Sequence, residues 1–214
     1  MLKNVCKIVL LAAAIVLMVS AQAQQPQPPS QPKQLAWMTK AHITSADAAV
    51  TFSFERARTT SNSGNWFWLK GGSADGSLTF YRGLGWAANL TGETASNIQN
   101  GVGLSKVAFM AGPRYTFNTS PYTKRAFKQH STVLFGETLF GGVHAFNSLF
   151  PATGAPTTSA GSFSMQMGGG FDIGLAKGFN LRPLEMDWVH TALPDNASNS
   201  QNDFRIAFGI SYRR

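Results

Sequence analysis

The sequence predicts an all-β protein, an eight-stranded antiparallel up-and-down transmembrane β-barrel. Three observations support this prediction: strict alternation in the last segment, a composition poor in charge, and a regular spacing of strand-length segments. The apolar residues of the last segment alternate with charged, small or polar ones, and they are Phe204, Ile206, Phe208, Ile210 and Tyr212. Because successive side chains of a strand point to opposite faces, this segment has one apolar and one polar face. We expect the apolar face to point outward, to lipid.

The composition is typical of strands that cross a bilayer around a narrow lumen. Only 13% of the residues are charged, 12% are aromatic, and 21 are glycine. The formal net charge is +8, but the Lys and Arg residues are scattered along the chain and form no basic patch. A nucleic-acid partner is therefore not expected.

The N-terminus has the pattern of a secretory signal peptide, residues 1–23. Lys3 and Lys7 precede a continuous apolar run over residues 8–19, and Ala-Gln-Ala at 21–23 forms a small-x-small cleavage site. A transmembrane anchor is the alternative, but it needs roughly 20 apolar residues, more than this run supplies. Cys6, the sole cysteine, lies inside this leader, so the mature chain is expected to have no disulfide and no thiolate ligand.

Residues 24–45 are predicted to form a Pro/Gln-rich tether and lead-in to the barrel. Proline at this density favours an extended chain over a helix or an inner strand. The tether could act as a spacer or cell-wall contact, or be simply a disordered mature N-terminus. Residues 46–214 are predicted to form the barrel itself.

Eight segments in residues 46–214 have the length and alternation of strands. They are 48–58, 67–82, 85–94, 106–117, 131–144, 162–177, 180–191 and 203–213. The second is predicted to be broken or bulged, because a glycine- and serine-rich stretch at 71–76 interrupts it. The fifth has apolar residues at both parities near Leu134 and Phe135, so its inward face stays ambiguous.

The connections are predicted to alternate between short and long. Short links follow the second and sixth segments, and longer polar links follow the first, third, fifth and seventh. The connection at 118–130 is a long, basic exception. Short periplasmic turns and longer external loops are typical of outer-membrane barrels, and an even strand number puts both termini on the periplasmic side. The stretch 147–161 is predicted to be the external loop best suited to binding a surface ligand.

Three stretches carry a resemblance to a known family: FYRGLG at 80–85, GPRYTF at 112–117 and NDFRIAFGISYRR at 202–214. On these, the chain resembles the small OmpA/OmpX-type outer-membrane β-barrel family over its whole mature domain. The resemblance implies an outer-membrane location, outer-membrane lipids as neighbours, and a C-terminal strand read by the barrel-insertion machinery. Any surface ligand is expected to bind the external loops after the first, third, fifth and seventh segments.

The parity of the strands assigns a set of charged residues to the lumen. These residues are Glu55, Glu93, Arg114, Glu137, Asp172, Glu185, Asp187 and Arg205. An eight-stranded barrel is just wide enough for its side chains to fill it, and buried charges are costly unless paired. The expected arrangement is therefore a set of Arg–carboxylate pairs that closes the lumen. A small gated porin, in which these pairs break, is the alternative.

Aromatic residues near the strand ends are predicted to lie at the membrane interfaces, and they are Trp86, Tyr115, Trp188 and Tyr212. An aromatic core in a soluble lipocalin-like barrel, which binds apolar ligands, is the alternative interpretation. That barrel would need more charge on its exterior than 13% of the residues supplies.

Catalysis is not expected. The four histidines are His42, His130, His144 and His190. The last two have Ser148 and Asp195 nearby in sequence, so a His-Ser-Asp set at the outer rim of a lipid-modifying enzyme is conceivable, but no recognised spacing motif supports it. Four histidines without clustered carboxylates or cysteines also predict no metal site, and no cofactor motif is present.

Overall fold

The chain forms a closed barrel of eight antiparallel strands. The computed structural model describes residues 43–59, 65–99, 101–119, 131–152, 155–195 and 199–214. The strands are β1 Ser45–Arg58, β2 Trp66–Tyr81, β3 Leu84–Gln99, β4 Val102–Asn118, β5 Thr132–Phe150, β6 Thr157–Ala176, β7 Phe179–Thr191 and β8 Gln201–Arg213. Each strand pairs with its neighbours in sequence, and β8 returns to pair with β1. The predicted fold class is confirmed.

The barrel has two distinct ends. The end that holds the start of β1 and the end of β8, here called the terminal end, also carries the connections at 82–83, 119–131 and 177–178. The opposite end, here called the loop end, carries the connections at 59–65, 100–101, 151–156 and 192–200. The predicted leader and most of the predicted tether lie outside the described residues. Within the described residues, no helix is long and apolar enough to cross a membrane.

The two tight turns at the terminal end have the backbone conformation that two-residue hairpins need. Arg82 and Gly83 have φ of 45° and 91°, and Lys177 and Gly178 have φ of 43° and 87°. Positive φ at both central positions matches the right-handed twist of the flanking strands. These turns agree with the predicted short links.

Two predicted long connections are wrong. β3 and β4 extend until only residues 100–101 join them, and β5 and β6 take up most of 147–161, leaving 151–156 between them. Polar and small residues can continue a strand where a neighbouring strand pairs with them. Their presence after the third and fifth segments was therefore not a reliable sign of a loop. Asn147 adopts a positive φ of 60°, close to the register shift between Phe146 and Phe150.

The predicted break in β2 is also wrong. β2 pairs with β1 residue for residue from Trp66 to Thr79, straight through the glycine-rich stretch. A Cβ on Gly71 would overlap the carbonyl oxygen of Gly92 on β3. Glycine there permits close approach of two strands and does not end either of them.

The apolar face of the strands points outward. Val50, Phe52, Phe109, Phe208 and Ile210 are among the exposed large hydrophobic residues, with Phe52 67% exposed. Phe208 stacks on both Phe52 and Phe54, with ring centroids 6.3 Å apart in each pair. This is the reverse of a soluble barrel and is the surface that a hydrocarbon environment requires.

Candidate functional site

The interior collects nearly all of the protein's acidic residues. All ten Asp and Glu residues lie in the described part of the chain, and all except Asp195 are buried. The buried acids are Asp47, Glu55, Asp75, Glu93, Glu137, Asp172, Glu185, Asp187 and Asp203. The buried cations in the described strands are Lys106, Arg114, Arg182 and Arg205, and Arg213 is partly buried. Acidic side chains therefore outnumber cationic ones inside the barrel.

Arg114 anchors one part of the central charge network. Its Nε lies 2.6 Å from Glu137 Oε2, and its Nη2 lies 2.9 Å from Asp75 Oδ1. Its Nη1 donates a hydrogen bond of 3.2 Å to Ser77 Oγ. The guanidinium thus joins side chains from β2, β4 and β5 across the interior.

Arg182 joins three carboxylates. Its Nε lies 2.8 Å from Asp172 Oδ1, while its Nη1 lies 3.0 Å from Asp75 Oδ2 and 2.9 Å from Glu185 Oε2. Asp75 therefore bridges Arg182 and Arg114, one carboxylate oxygen to each. Such multiple charge-assisted bonds fix the geometry of both guanidinium groups.

Arg205 joins Glu185 and Asp187 and so extends the network to β8. Its Nη2 lies 3.0 Å from Glu185 Oε1 and 2.9 Å from Asp187 Oδ2, and its Nη1 donates a 2.8 Å hydrogen bond to Thr91 Oγ1. Glu185 therefore connects Arg205 with Arg182. The name central network is used below for Asp75, Arg114, Glu137, Asp172, Arg182, Glu185, Asp187 and Arg205.

A second cluster lies nearer the loop end, around one lysine. Lys106 forms an ion pair with Glu55, and its Nζ lies 3.5 Å from Glu93 Oε2. The other oxygen of Glu93 accepts a 2.6 Å hydrogen bond from Ser53 Oγ. At the terminal end, Arg213 pairs with Asp47 and lies 3.4 Å from Asp172 Oδ2.

The structure places all eight residues assigned to the lumen from the sequence in the interior, buried. Six of them belong to the central network, and Glu55 and Glu93 belong to the lysine cluster. The sequence-derived set omitted Asp47, Asp75, Lys106, Arg182 and Asp203, which are also buried. Lys106 has the same parity as Arg114 on β4, so alternation along the strand could have assigned it to the lumen. Asp75 was missed because it lies in the stretch at 71–76, where β2 was predicted to be broken or bulged.

Arg182 was hidden by a bulge in β7. Simple alternation from Glu185 and Asp187 would turn Arg182 outward. The register to β8 shifts between Arg182 and Glu185, so β7 holds one extra residue there, next to Pro183. This bulge brings both Arg182 and Glu185 to the interior. Pro183 lies within the strand, and a proline at such a position can indicate a bulge.

Three carboxylates of the central network are clustered, contrary to the expectation from the sequence. Oxygens of Glu137, Glu185 and Asp187 lie within 4.8 Å of one another. Each of these residues also bonds to an arginine, so guanidinium groups already supply positive charge there. The cluster is a part of the ion-pair network.

The four aromatic residues predicted at the interfaces all point outward. Trp86, Tyr115 and Tyr212 lie toward the terminal end, and Trp188 lies toward the loop end. Tyr212 packs edge-on against Phe179, with centroids 5.1 Å apart. Their rings are placed where an amphipathic side chain suits a membrane interface.

The histidines near the loop end make contacts with their neighbours on the barrel wall. His144 stacks on Phe146, and His190 stacks on Trp188 while its Nδ1 lies 3.1 Å from Asn202 Oδ1. His42 and His130 lie outside the described residues. The rings of His144 and His190 therefore pack with other side chains of the strands.

A cavity of about 440 Å³ opens at the loop end, above the lysine cluster. Its walls include Phe67, Leu69, Leu104, Phe150 and Leu193, and its lining also includes Lys106 and Asp203. Gln201 fixes one wall, because its amide accepts from the Leu193 N–H at 3.1 Å and donates to the Leu193 carbonyl at 3.0 Å.

Comparison with known proteins finds similarity in fold only. No family model and no curated protein matches the sequence. Neisserial surface protein A matches with a TM-score of 0.56 and 11% identity, over 78% of this chain and 96% of that one. Ail of Yersinia pestis, solved with the heparin analogue sucrose octasulfate, matches with a TM-score of 0.49 and 14% identity, over 79% and 99%. The N-terminal barrel of Pseudomonas aeruginosa OprF gives 0.37 and 11%, over 78% and 97%.

The likeness to Neisserial surface protein A, together with the outward apolar face, defines the class of fold. The chain is an eight-stranded barrel of the kind found in small outer-membrane proteins. The resemblance to OmpA/OmpX-type barrels predicted from the sequence is confirmed at the level of the fold.

Proposed function

We propose that the protein is an integral outer-membrane barrel with a structural or surface-interaction role, and that its lumen is closed by the central network. The observation that carries the proposal is the interlocking of Arg114, Arg182 and Arg205 through shared carboxylates. Asp75 bridges the first two and Glu185 the last two. All of these side chains are buried, and this burial supports a lumen without a continuous column of water at this level.

The proposed location is supported by the outward apolar belt, the outward interface aromatics and the predicted leader. In this location the terminal end faces the periplasm and the loop end faces the medium. Surface recognition would then involve the rim at the loop end, where Trp66, Trp68 and Leu149 are exposed. Of the predicted binding loop at 147–161, only the connection at 151–156 lies outside strands β5 and β6.

Cell fractionation tests the location. The protein should be found with the outer membrane and should migrate differently in detergent gels with and without heating, because a closed barrel has no free strand edge and resists detergent. Recovery as a soluble periplasmic monomer without detergent would refute the proposal and favour the lipocalin-like alternative. The proposal includes no catalytic turnover.

Planar-bilayer recording tests the closed lumen. Purified protein should give no large, steady single channels, and brief openings should become more frequent in Arg114→Ala and Arg205→Ala, which remove partners from the network. Arg56→Ala is the matched control, because Arg56 lies exposed over Trp66 on the outer surface, 4.4 Å from the ring centroid. Large, steady channels from the unmodified protein would show that it is a porin.

A further inference from the structure

The Lys and Arg side chains that point outward from the described strands are concentrated on one side of the barrel. They are Arg56 and Arg58 on β1 and Lys70 on β2, and all three are exposed in the half of the barrel nearer the loop end. The other cationic residues of the described strands pair with carboxylates of the lumen, and they are Lys106, Arg114, Arg182, Arg205 and Arg213. The name basic patch is used below for Arg56, Arg58 and Lys70.

The outer wall of the described strands supplies no carboxylate to the basic patch. All ten Asp and Glu residues lie in the described part of the chain, and nine of them are buried. The tenth, Asp195, lies in the connection at 192–200, where it accepts hydrogen bonds from the Gln201 side chain and the Asn199 N–H. Arg56 and Lys70 are exposed and have no ion-pair partner among the described residues. The patch is therefore complementary to an anion from outside the chain.

The ring of Trp66 contacts both arginines of the basic patch. Arg56 Cζ lies 4.4 Å from the ring centroid, and Arg58 Cζ lies 5.9 Å from it. The neighbouring Trp68 also points outward and is 48% exposed. A cation–π contact needs no hydrogen-bond acceptor, so it positions Arg56 while its N–H donors can still bind another group. Their planar fork matches the oxygens of a phosphate, so the patch is partly preorganised for an oxyanion.

The basic patch lies at the edge of the apolar belt. Phe52 faces Phe208 midway along the barrel wall, and Arg56 lies four residues further along β1 toward the loop end. At about 3.3 Å per residue this is about 13 Å along a tilted strand, while the apolar belt of such barrels is about 25 Å tall. Arg56 stands opposite Trp68 in the register, yet its guanidinium lies over Trp66, which is nearer the loop end. Its charge is therefore directed out of the hydrocarbon and toward the lipid headgroups.

We propose that the basic patch binds the anionic phosphate of an outer-leaflet lipid headgroup, with Arg56 as the main donor. Lys70 stands opposite Phe54, closer to the middle of the belt, and its flexible side chain brings a second charge to the headgroup level. The exposed ring of Trp68 is suited to the boundary between headgroups and acyl chains. The inference rests on the proposed location, which puts the loop end at the outer leaflet, and it adds a specific lipid contact to that location.

The test compares two lipids with the same acyl chains, the anionic dioleoyl phosphatidylglycerol and the zwitterionic dioleoyl phosphatidylcholine. Native mass spectrometry of the folded protein in detergent gives the affinity for each lipid. The anionic lipid should bind more tightly, by about fivefold for each cation that contacts its phosphate. NMR of the tryptophan indole N–H groups in nanodiscs locates the contact. The signals of Trp66 and Trp68 should shift as the anionic lipid replaces the zwitterionic one, while the signal of Trp86, toward the terminal end, should not.

Charge-removing variants assign the contact to the basic patch. Arg56→Gln combined with Lys70→Gln should weaken binding of the anionic lipid about fivefold for each charge removed and should abolish the shift of the Trp66 signal. Arg82→Gln is the matched control, because Arg82 is exposed at the terminal end with its Cζ 5.3 Å from the centroid of the Tyr81 ring. It removes the same charge from a similar cation–aromatic pair and should leave the response of Trp66 unchanged. Arg56 and Lys70 lie outside the central network, so their replacement leaves the ion pairs of the lumen intact.

Several results would overturn the proposal. Equal affinity of the unmodified protein for the two lipids would remove the phosphate contact, and equal shifts of Trp66 and Trp86 would indicate a diffuse effect of membrane charge. A shift of Trp66 caused by inorganic phosphate in pure phosphatidylcholine would assign the basic patch to a soluble ion. The lipid comparison on the unmodified protein decides these points even if a variant fails to fold. Each of these results leaves the membrane location intact, because cell fractionation tests that location separately.

Discussion

The guanidinium of Arg182 lies over the ring of Phe135, with 4.3 Å between Cζ and the ring centroid. Arg114 lies over the same ring at 4.6 Å. Phe135 is buried on the inward face of β5, within a lumen otherwise dominated by charge at this level. The ring offers its negative face to two cations that Asp75 also bridges, so it contributes to holding both arginines in the network.

Arg182→Met should destabilise the barrel strongly. It retains much of the apolar volume but leaves Asp75, Asp172 and Glu185 with one cationic partner fewer, at a cost of about 3–5 kcal/mol. Equilibrium unfolding in urea, followed by tryptophan fluorescence in lipid vesicles, measures this. Arg56→Met, on the outer surface, should change stability by less than about 1 kcal/mol. Equal effects of the two variants would contradict the role of the network.

Phe208→Arg should impair insertion much more than Leu175→Arg. Phe208 lies midway along the barrel wall, paired with Phe52, whereas Leu175 is near the terminal end of β6. Both side chains point outward. Arginine on the lipid face costs about 2–4 kcal/mol at the bilayer midplane and about 0–1 kcal/mol near the interface. The free energy of unfolding in urea measures both costs. Similar costs at both positions would mean that Phe208 does not lie nearer the bilayer midplane than Leu175.

Deletion of Pro183 should be tolerated better than deletion of Met186. Removing Pro183 takes out the extra residue of the β7 bulge, and regular alternation then still directs Arg182 and Glu185 inward. Removing Met186 makes Glu185 and Asp187 adjacent, so one of them must face lipid. The yield of the heat-modifiable folded form in detergent gels measures the difference. Equal loss in both deletions would show that the bulge itself is required.

The sequence predicted the fold well because period-two alternation and tight turns are local signals. Phe204 to Tyr212 show one apolar face, and the structure turns that face outward. β5 was ambiguous because Phe135 and Leu139 are apolar residues that point inward, Phe135 under two arginines. Pairing partners across the lumen are not local, so no sequence pattern joins Asp75 to Arg182, which are 107 residues apart.

Strand ends were harder to predict for a similar reason. Residues 157–161 of β6 precede its predicted start and are polar or small, and those at 159–161 belong to the strand because each pairs with a residue of β5. The pairing of Phe146 with Ser159 is one example. The loop-end cavity depends on these extensions, since Ser148, Leu149 and Phe150 contribute to its lining.

The distribution of the interior charges has a consequence for how the barrel assembles. Every strand supplies at least one charged side chain to the interior, and these include Glu55, Asp75, Glu93, Arg114, Glu137, Asp172, Arg182 and Arg205 in the order β1 to β8. An incompletely closed sheet would leave several of them unpaired in a hydrocarbon environment. Closure of the β1–β8 seam and completion of the ion pairs should therefore be a single cooperative event. Unfolding curves recorded by tryptophan fluorescence and by gel mobility should coincide, and separated curves would reveal a stable half-inserted sheet.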